Sequence, residues 1–239
     1  KPTDLDSLTQ HAAYRKEYIG NVSHELKTPI FNIQGYIETL LDGGIDDPSV
    51  NRKYLERASQ AINRMITIVK DLEIISGLET GSLSLNIESF DMVSLCQEVI
   101  DAQEMNASSK NIKLSVKQTI ETPIMVRADR RWISQVITNL VVNSIMYGKE
   151  NGTTKILFYD MESSILVEIK DNGIGIEMAD QKRIFERFYR VDKSRSRDSG
   201  GTGLGLSIVK HVMEAHGQTI NVNSEINKGT SFTFTIDKS

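Results

Sequence analysis

A chain of 239 residues with 39% hydrophobic and 25% charged side chains has the composition of a packed, water-soluble protein with room for two ordinary domains. Its formal net charge of −4 argues against a nucleic-acid binder, which is usually basic. The single cysteine, Cys96, rules out an intrachain disulfide and a cysteine zinc cluster, and it fits a reducing cytoplasm. No run reaches the about 20 apolar residues that span a bilayer, and no signal peptide is visible. The chain begins at Lys1 with polar Pro2-Thr3-Asp4, which suggests a cytoplasmic piece of a longer protein, with any sensor or membrane segment upstream.

Ile19, Val22, Leu26, Ile30, Ile33, Ile37 and Leu40 recur in steps of three and four, the stripe of a helix over residues 19–41. Pro29 removes a backbone donor within it and predicts a kink. Asp42 through Pro48 ends it with turn residues. Leu55, Ala58, Ile62, Met65, Val69 and Leu72 then repeat at heptad-like spacing. Two such helices cannot bury two full stripes alone. Pairing with a second copy would give a four-helix bundle; docking on the rest of the chain is the alternative. Ser76 through Gly81 reads as a hinge, dividing a helical hairpin at 1–78 from a second domain at 79–239.

Leu83, Leu85 and Ile87 alternate as in a half-buried strand. Asp91 is a good N-cap for a helix to about Asn106. Strands are expected near 112–120 and 124–128. Asp129 caps a helix to Tyr147, and strands follow near 155–160 and 164–170. A helix over 203–216 and strands over 219–223 and 230–236 close the chain. The mixture predicts an α+β domain, one sheet with helices on one face.

Several groups could carry chemistry. His24 lies beside Glu25, with Thr28 one helical turn on. A neutral imidazole is a nucleophile at one nitrogen, and a carboxylate can accept the N–H of the other. Asn139 and Asn143 share a helix face, and an amide oxygen can ligate Mg²⁺ while water and phosphate fill the octahedron. Asp171-Asn172-Gly173-Ile174-Gly175-Ile176 follows an apolar strand, so a carboxylate sits at a strand end where glycine lets backbone approach a base. Gly200-Gly201-Thr202-Gly203-Leu204-Gly205-Leu206 opens a helix, whose free amides favour phosphate. It is not a Walker loop, because no Gly-Lys-Ser/Thr follows. Between the loops lies Arg183-Ile184-Phe185-Glu186-Arg187-Phe188-Tyr189-Arg190, in which Arg187 and Arg190, with Lys193 beyond, could neutralise phosphate.

This ordered set resembles the sensor histidine kinases of two-component signalling, phosphate-regulon sensors among them, and the likeness covers nearly the whole chain. It implies a dimerising phosphoacceptor hairpin, a four-helix bundle as a dimer, followed by an ATP-binding α+β sandwich of the Bergerat or GHKL type. It implies autophosphorylation of His24 from ATP and Mg²⁺, then transfer to an aspartate of a response-regulator receiver domain. Glu25 takes the role of base, and Thr28 that of positioning water for phosphatase activity. Asn143 would hold Mg²⁺, Asn139 would support it, and Asp171 would read adenine. Tyr147, Gly173, Gly175, Ile176, Phe188, Arg190 and the loop Gly201, Thr202, Gly203, Leu204, Gly205 and Leu206 would complete the nucleotide site. The expected partners are a second copy and a receiver domain, with no nucleic acid, and contact with an inner membrane only through upstream segments.

In many relatives a lysine stands three residues after the second Asn. Met146 stands there in this chain, and Lys149 or the lid arginines are expected to compensate. Two other readings stay open. One is a different ATPase of the same nucleotide fold, as in type II topoisomerases, mismatch-repair proteins or heat-shock chaperones; those need a catalytic glutamate, and Arg130 through Gln135 carries no acid. The other is a signalling scaffold without catalysis.

Overall fold

The computed structural model describes residues 4–80, 84–117, 123–191 and 201–239, with side chains described from residue 16 onward except that of residue 17. Gly81, Leu83, Lys193 and Gly200, named above, and the end of the strand expected at 112–120 lie outside the described residues. The chain forms two compact units, Lys1–Glu73 with Gly200–Thr202, and Ile74–Ser199 with Gly203–Ser239.

In the first unit, α1 (Asp4–Leu41) runs unbroken through Pro29. Pro29 is buried, so the missing backbone hydrogen bond is offset by packing of its ring. Gly43 turns the chain with φ 104°, and a short 3₁₀ turn, Gly44–Asp46, follows. Asp47 accepts from Ser49 N at 2.8 Å and from Ser49 Oγ at 2.7 Å, ahead of α2 (Asn51–Glu79). Tyr36 stacks on Tyr54 across the hairpin at 5.5 Å, and Leu40 and Ile68 are buried. The expected stripes do not all turn inward. Ile19, Ile30, Ile37, Leu55, Ile62 and Val69 are exposed, so a single hairpin covers only part of each apolar stripe.

The hinge expected at 76–81 is corrected by the structure as far as Glu79. α2 continues through Ser76, Gly77 and Leu78, and its last turns belong to the second unit, where Ile75 is fully buried. Burial of this apolar end outweighs the low helix propensity of one glycine, about 1 kcal/mol. The strand expected over Leu83–Ile87 is also corrected. Residues 84–87 are irregular, and β1 is Glu88–Asp91.

The rest of the second unit follows the expected order. α3 (Met92–Ser108) starts at an Asp91 cap that accepts from Val93 N and Ser94 N. β2 (Lys113–Lys117) and β3 (Met125–Ala128) lead to α4 (Arg130–Met146), capped by Asp129 through Arg131 N and Trp132 N. β4 (Thr153–Met161), β5 (Ser164–Asp171), the short α5 (Met178–Gln181), α6 (Gly205–Ala215), β6 (Ile220–Glu225) and β7 (Gly229–Asp237) complete it. β1 and β3 pair antiparallel. The main sheet has the order β2-β4-β5-β7-β6, antiparallel except for β2 with β4. That parallel pair needs a long crossover, which α4 supplies.

Alternation decides the layering. Ile156, Phe158, Ile165, Val167, Ile169, Phe232 and Phe234 are buried on one sheet face. They meet Val136, Ile137 and Leu140 of α4 and Ile208, Val209 and Val212 of α6, which are equally buried. Lys155 and Tyr159 point the other way and are exposed. The domain is thus α+β with helices on one face of the main sheet; the single sheet expected is corrected, because β1 and β3 form a separate two-stranded sheet. Cys96 is buried in this core, and burial pushes its thiol pKa up.

Candidate functional site

Asp171 ends β5, and its Oδ1 accepts two backbone hydrogen bonds, from Gly173 N at 2.8 Å and from Thr230 N at 3.1 Å. Burial outweighs both bonds and holds this carboxyl above the usual carboxylate range. Oδ2 has no hydrogen-bond partner among the described residues. The following turn is crowded by backbone. A Cβ on Gly173 would lie 2.6 Å from Tyr147 O, and Ile174 N donates to that same oxygen at 3.2 Å. Gly175 has φ +75° and lies against the backbone of Glu225, so a side chain fits neither the dihedral nor the space. Ile176 N donates to Ser224 Oγ at 2.8 Å, and Ser224 donates on to Gly229 O at 2.9 Å. Tyr147, the C-cap of α4, is partly exposed beside this turn.

Asn139 and Asn143 sit on α4 with contrasting surroundings. Asn139 is engaged at both amide atoms: its Nδ2 donates to Gly205 O at 3.1 Å, and its Oδ1 accepts from Gln135 at 2.9 Å. It therefore fixes the start of α6 against α4. Asn143 is half-buried, and its side-chain amide makes no hydrogen bond among the described residues. At the far end of the same helix pair, His216 Nε2 accepts from Asp129 N at 3.1 Å while its Nδ1 lies 2.8 Å from Val212 O. These partners require a neutral ring with the proton on Nδ1. His216 thus ties the C-terminus of α6 to the cap of α4.

Among the described residues α6 has no side-chain N-cap and no acid in its first turn, which suits its N-terminus to an anion. Gly203, Leu204, Gly205 and Leu206 lie with Asn139 in the second unit. Gly201 and Thr202 group with the first, where Thr202 donates to Asp71 at 3.0 Å.

In the segment before the loop, Phe185 meets Phe232 edge-on at 6.3 Å. Phe188 adopts a left-handed φ of 60° and donates its N–H to Gly203 O at 2.8 Å. Arg190 is half-buried with its Nε beside Gly203. Arg187, expected to face phosphate, is instead 8% exposed and ion-paired with Glu79. Its Nη2 also lies 3.3 Å from His211 Nε2. Burial first and the Arg187 charge second hold His211 below the usual imidazole range. A guanidinium enclosed this way is structural. Lys149, expected to replace the missing lysine, donates to Asn227 O at 2.6 Å.

On α1, His24 is exposed and Glu25 and Thr28 are half-buried. Thr28 Oγ1 donates to His24 O at 3.3 Å, and Glu25 Oε2 pairs with Arg64 Nη2 at 3.0 Å.

Two family models match the chain. One is described as a histidine kinase-, DNA gyrase B- and HSP90-like ATPase and covers residues 128–239. The other is the His Kinase A phospho-acceptor domain, over residues 14–81. The chain is 35% identical over 236 residues to the sensor histidine kinase WalK of Bacillus subtilis, covering 98% of this chain and 38% of that one. It is 34% identical over 237 residues to a sensor protein kinase WalK of Staphylococcus aureus, covering 98% and 56%. The chain belongs to the sensor histidine kinases.

It spans between 38% and 56% of the length of these relatives. Among solved structures, the histidine kinase AdeS of Acinetobacter baumannii superposes with a TM-score of 0.72 at 28% identity, over 90% of this chain and 98% of that one. The histidine kinase ThkA, solved in complex with the response regulator protein TrrA, gives 0.77 at 29% identity, over 97% and 64%. Both likenesses extend across the helical hairpin and the sheet domain.

Sequence reasoning missed Thr230, Ser224, Glu79 and His216. Thr230 binds a residue 59 positions away, and no local pattern announces such a pairing. The Asp171 geometry gives a testable result. A carboxyl whose folded pKa is raised contributes stability below the ordinary value of 3.8 and loses it as pH rises through the folded value. Asp171→Asn keeps an oxygen for both amides and removes the ionisation. It should raise the urea midpoint of the nucleotide-free protein at pH 7, and the gain should vanish toward pH 3.5. A lowered midpoint at pH 7 would contradict the burial argument.

Proposed function

We propose that this chain is the ATP-dependent histidine autokinase portion of a two-component sensor, divided functionally into a phosphoacceptor hairpin at 1–78 and an ATP-binding domain at 79–239. The observation that carries the reading is the half-used Asp171 carboxylate. Oδ1 is fixed by two amides, which aims Oδ2 and suits it to accept the exocyclic amine of adenine. Gly173, Gly175, Ile176 and Tyr147 would border the base. The N-terminus of α6 and its Gly201–Leu206 approach, with Phe188 holding the backbone and Arg190 supplying charge, suit the phosphates.

Mg²⁺ fits the residues present in a limited way. Among the described residues no group of three His, Cys, Asp or Glu side chains could form a protein-built cation cage. A single Asn143 amide beside phosphate and water oxygens is a common Mg²⁺ arrangement. The ion would neutralise charge on the transferring phosphoryl group. Asn139 positions α6 relative to that amide.

In the reaction, one imidazole nitrogen of His24 forms a bond to the γ-phosphorus. The bond from phosphorus to the bridging oxygen breaks, and ADP leaves with the electron pair. Glu25 accepts the proton of the other ring nitrogen and fixes its tautomer. The protein's part is chiefly positioning and charge neutralisation. Exposure of the His24 ring allows a receiver aspartate to take the phosphoryl group next, in keeping with the response regulator bound to ThkA. Exposed Ile30 and Ile37 on α1 and Ile62 and Val69 on α2 are the faces a second copy would cover, giving a homodimeric four-helix bundle. The ATP requirement fits a cytoplasmic site of action, with any inner-membrane anchor in other parts of the parent protein.

Incubation with γ-labelled ATP and Mg²⁺ should place an acid-labile, base-stable label on the parent and none on His24→Gln. Label that persists on His24→Gln would overturn the assignment.

Thr28 lies one turn beyond His24 and suits a water-positioning role in dephosphorylating the regulator. Thr28→Ala should reduce phosphatase activity toward a phosphorylated receiver at least tenfold while autophosphorylation stays within about twofold. Equal loss of both activities would remove that division of roles.

A further inference from the structure

We propose that Arg64 is a positioning residue for autophosphorylation, acting through Glu25. The inference rests on the reading of Glu25 as the base. Arg64 is on α2 and Glu25 on α1, 39 residues apart, and they meet at 3.0 Å between Nη2 and Oε2. Both side chains are only 17% exposed. Ion pairs in open water contribute little. A pair largely withdrawn from water costs a great deal to desolvate and more to break, so its persistence between two helices calls for a use beyond helix pairing.

That use follows from helix geometry. Neighbouring residues on a helix project about 100° apart. His24 faces solvent while Glu25 faces α2. The carboxylate can therefore serve the imidazole only by reaching around the helix surface, and the reach depends on what anchors it. A carboxylate offers about four lone-pair directions on two oxygens. A guanidinium on Oε2 fixes the plane of the group, and with it the directions from which a ring N–H can approach. α2 then sets the orientation of the base, and a shift of α2 along α1 would move the base relative to the ring. Because a misplacement of about 1 Å can cost about a hundredfold in rate, the pair makes phosphoryl transfer sensitive to the packing of the two helices.

The same Nη2 lies 3.5 Å from Gly201 O, which offers a rival route for any Arg64 effect, through the glycine loop and nucleotide affinity. The two routes separate kinetically. An effect through Glu25 changes the rate at saturating ATP, whereas an effect through the loop changes the ATP concentration required.

The test is single-turnover autophosphorylation of the whole chain with ATP and Mg²⁺, comparing parent, Arg64→Gln, Arg64→Lys, Glu25→Gln and the double variant Arg64→Gln/Glu25→Gln. Arg64→Gln should slow transfer at saturating ATP by roughly 10- to 100-fold, with the ATP KM within about twofold. Arg64→Lys, which keeps the charge, should recover part of the rate. On the Glu25→Gln background, Arg64→Gln should add less than about twofold. The double variant removes both charges of the pair together, so it reports even where the single variant folds poorly. A raised KM with an unchanged maximal rate would overturn the proposal in favour of the Gly201 route. Full additivity in the double variant would overturn it as well. If Glu25→Gln slows transfer and Arg64→Gln does not, the positioning role falls and the base stands. If Glu25→Gln is silent, the base itself is misassigned and the proposal falls with it.

Discussion

The nucleotide half of this molecule depends on one carboxylate being kept where water would not choose to leave it. Asp171 stands at the end of β5, where the β7 strand and the β5–α5 turn each contribute one amide to its Oδ1. Burial raises its pKa despite those bonds, so the carboxylate is held against an electrostatic cost. Such cost is typical of functional groups, and it is sustained by structure that is rigid for other reasons. Here the rigidity comes from the apolar face of β4, β5 and β7 packed under α4 and α6. The two glycines of the turn admit the Tyr147 and Glu225 backbones, which brings the end of α4 and the β6–β7 turn to the same place.

The two asparagines of α4 show how one local pattern can hold two different roles. They share a helix face, yet Asn139 is engaged by Gln135 and Gly205 while the Asn143 side-chain amide has no partner among the described residues. Asn139 at one end and His216 at the other determine how α6 lies along α4. The N-terminal end of α6 is therefore placed by hydrogen bonds as well as by its apolar face. In the helical hairpin, the exposed apolar residues on both helices have the opposite meaning. They are surface that a single copy leaves uncovered.

Much of this was legible because local rules decide it. Asp91 and Asp129 cap α3 and α4 as their sequence positions suggest, and β4 and β5 alternate cleanly. The failures share a cause in long-range packing. Ser76 through Glu79 looks like a hinge because of Gly77, yet buried Ile75 and the turns around it keep α2 helical. Arg187 looks like a phosphate ligand because it sits among aromatics before a glycine loop. Glu79, more than a hundred residues earlier in the chain, captures it. Lys149 is drawn to Asn227 in the same way. Charge identity is visible in a sequence, but the choice of partner is a property of the fold.

The central claim is that Asp171 reads adenine, and calorimetric titration of the whole chain with ATP and with inosine triphosphate, each with Mg²⁺, tests it most directly. Inosine carries an oxygen where adenine carries the amine, so it would set an acceptor against the carboxylate and remove the donor. A lost charge-assisted hydrogen bond is worth about 1.5–3 kcal/mol. The account therefore predicts that inosine triphosphate binds at least roughly tenfold more weakly than ATP. Equal affinity for the two nucleotides would contradict it.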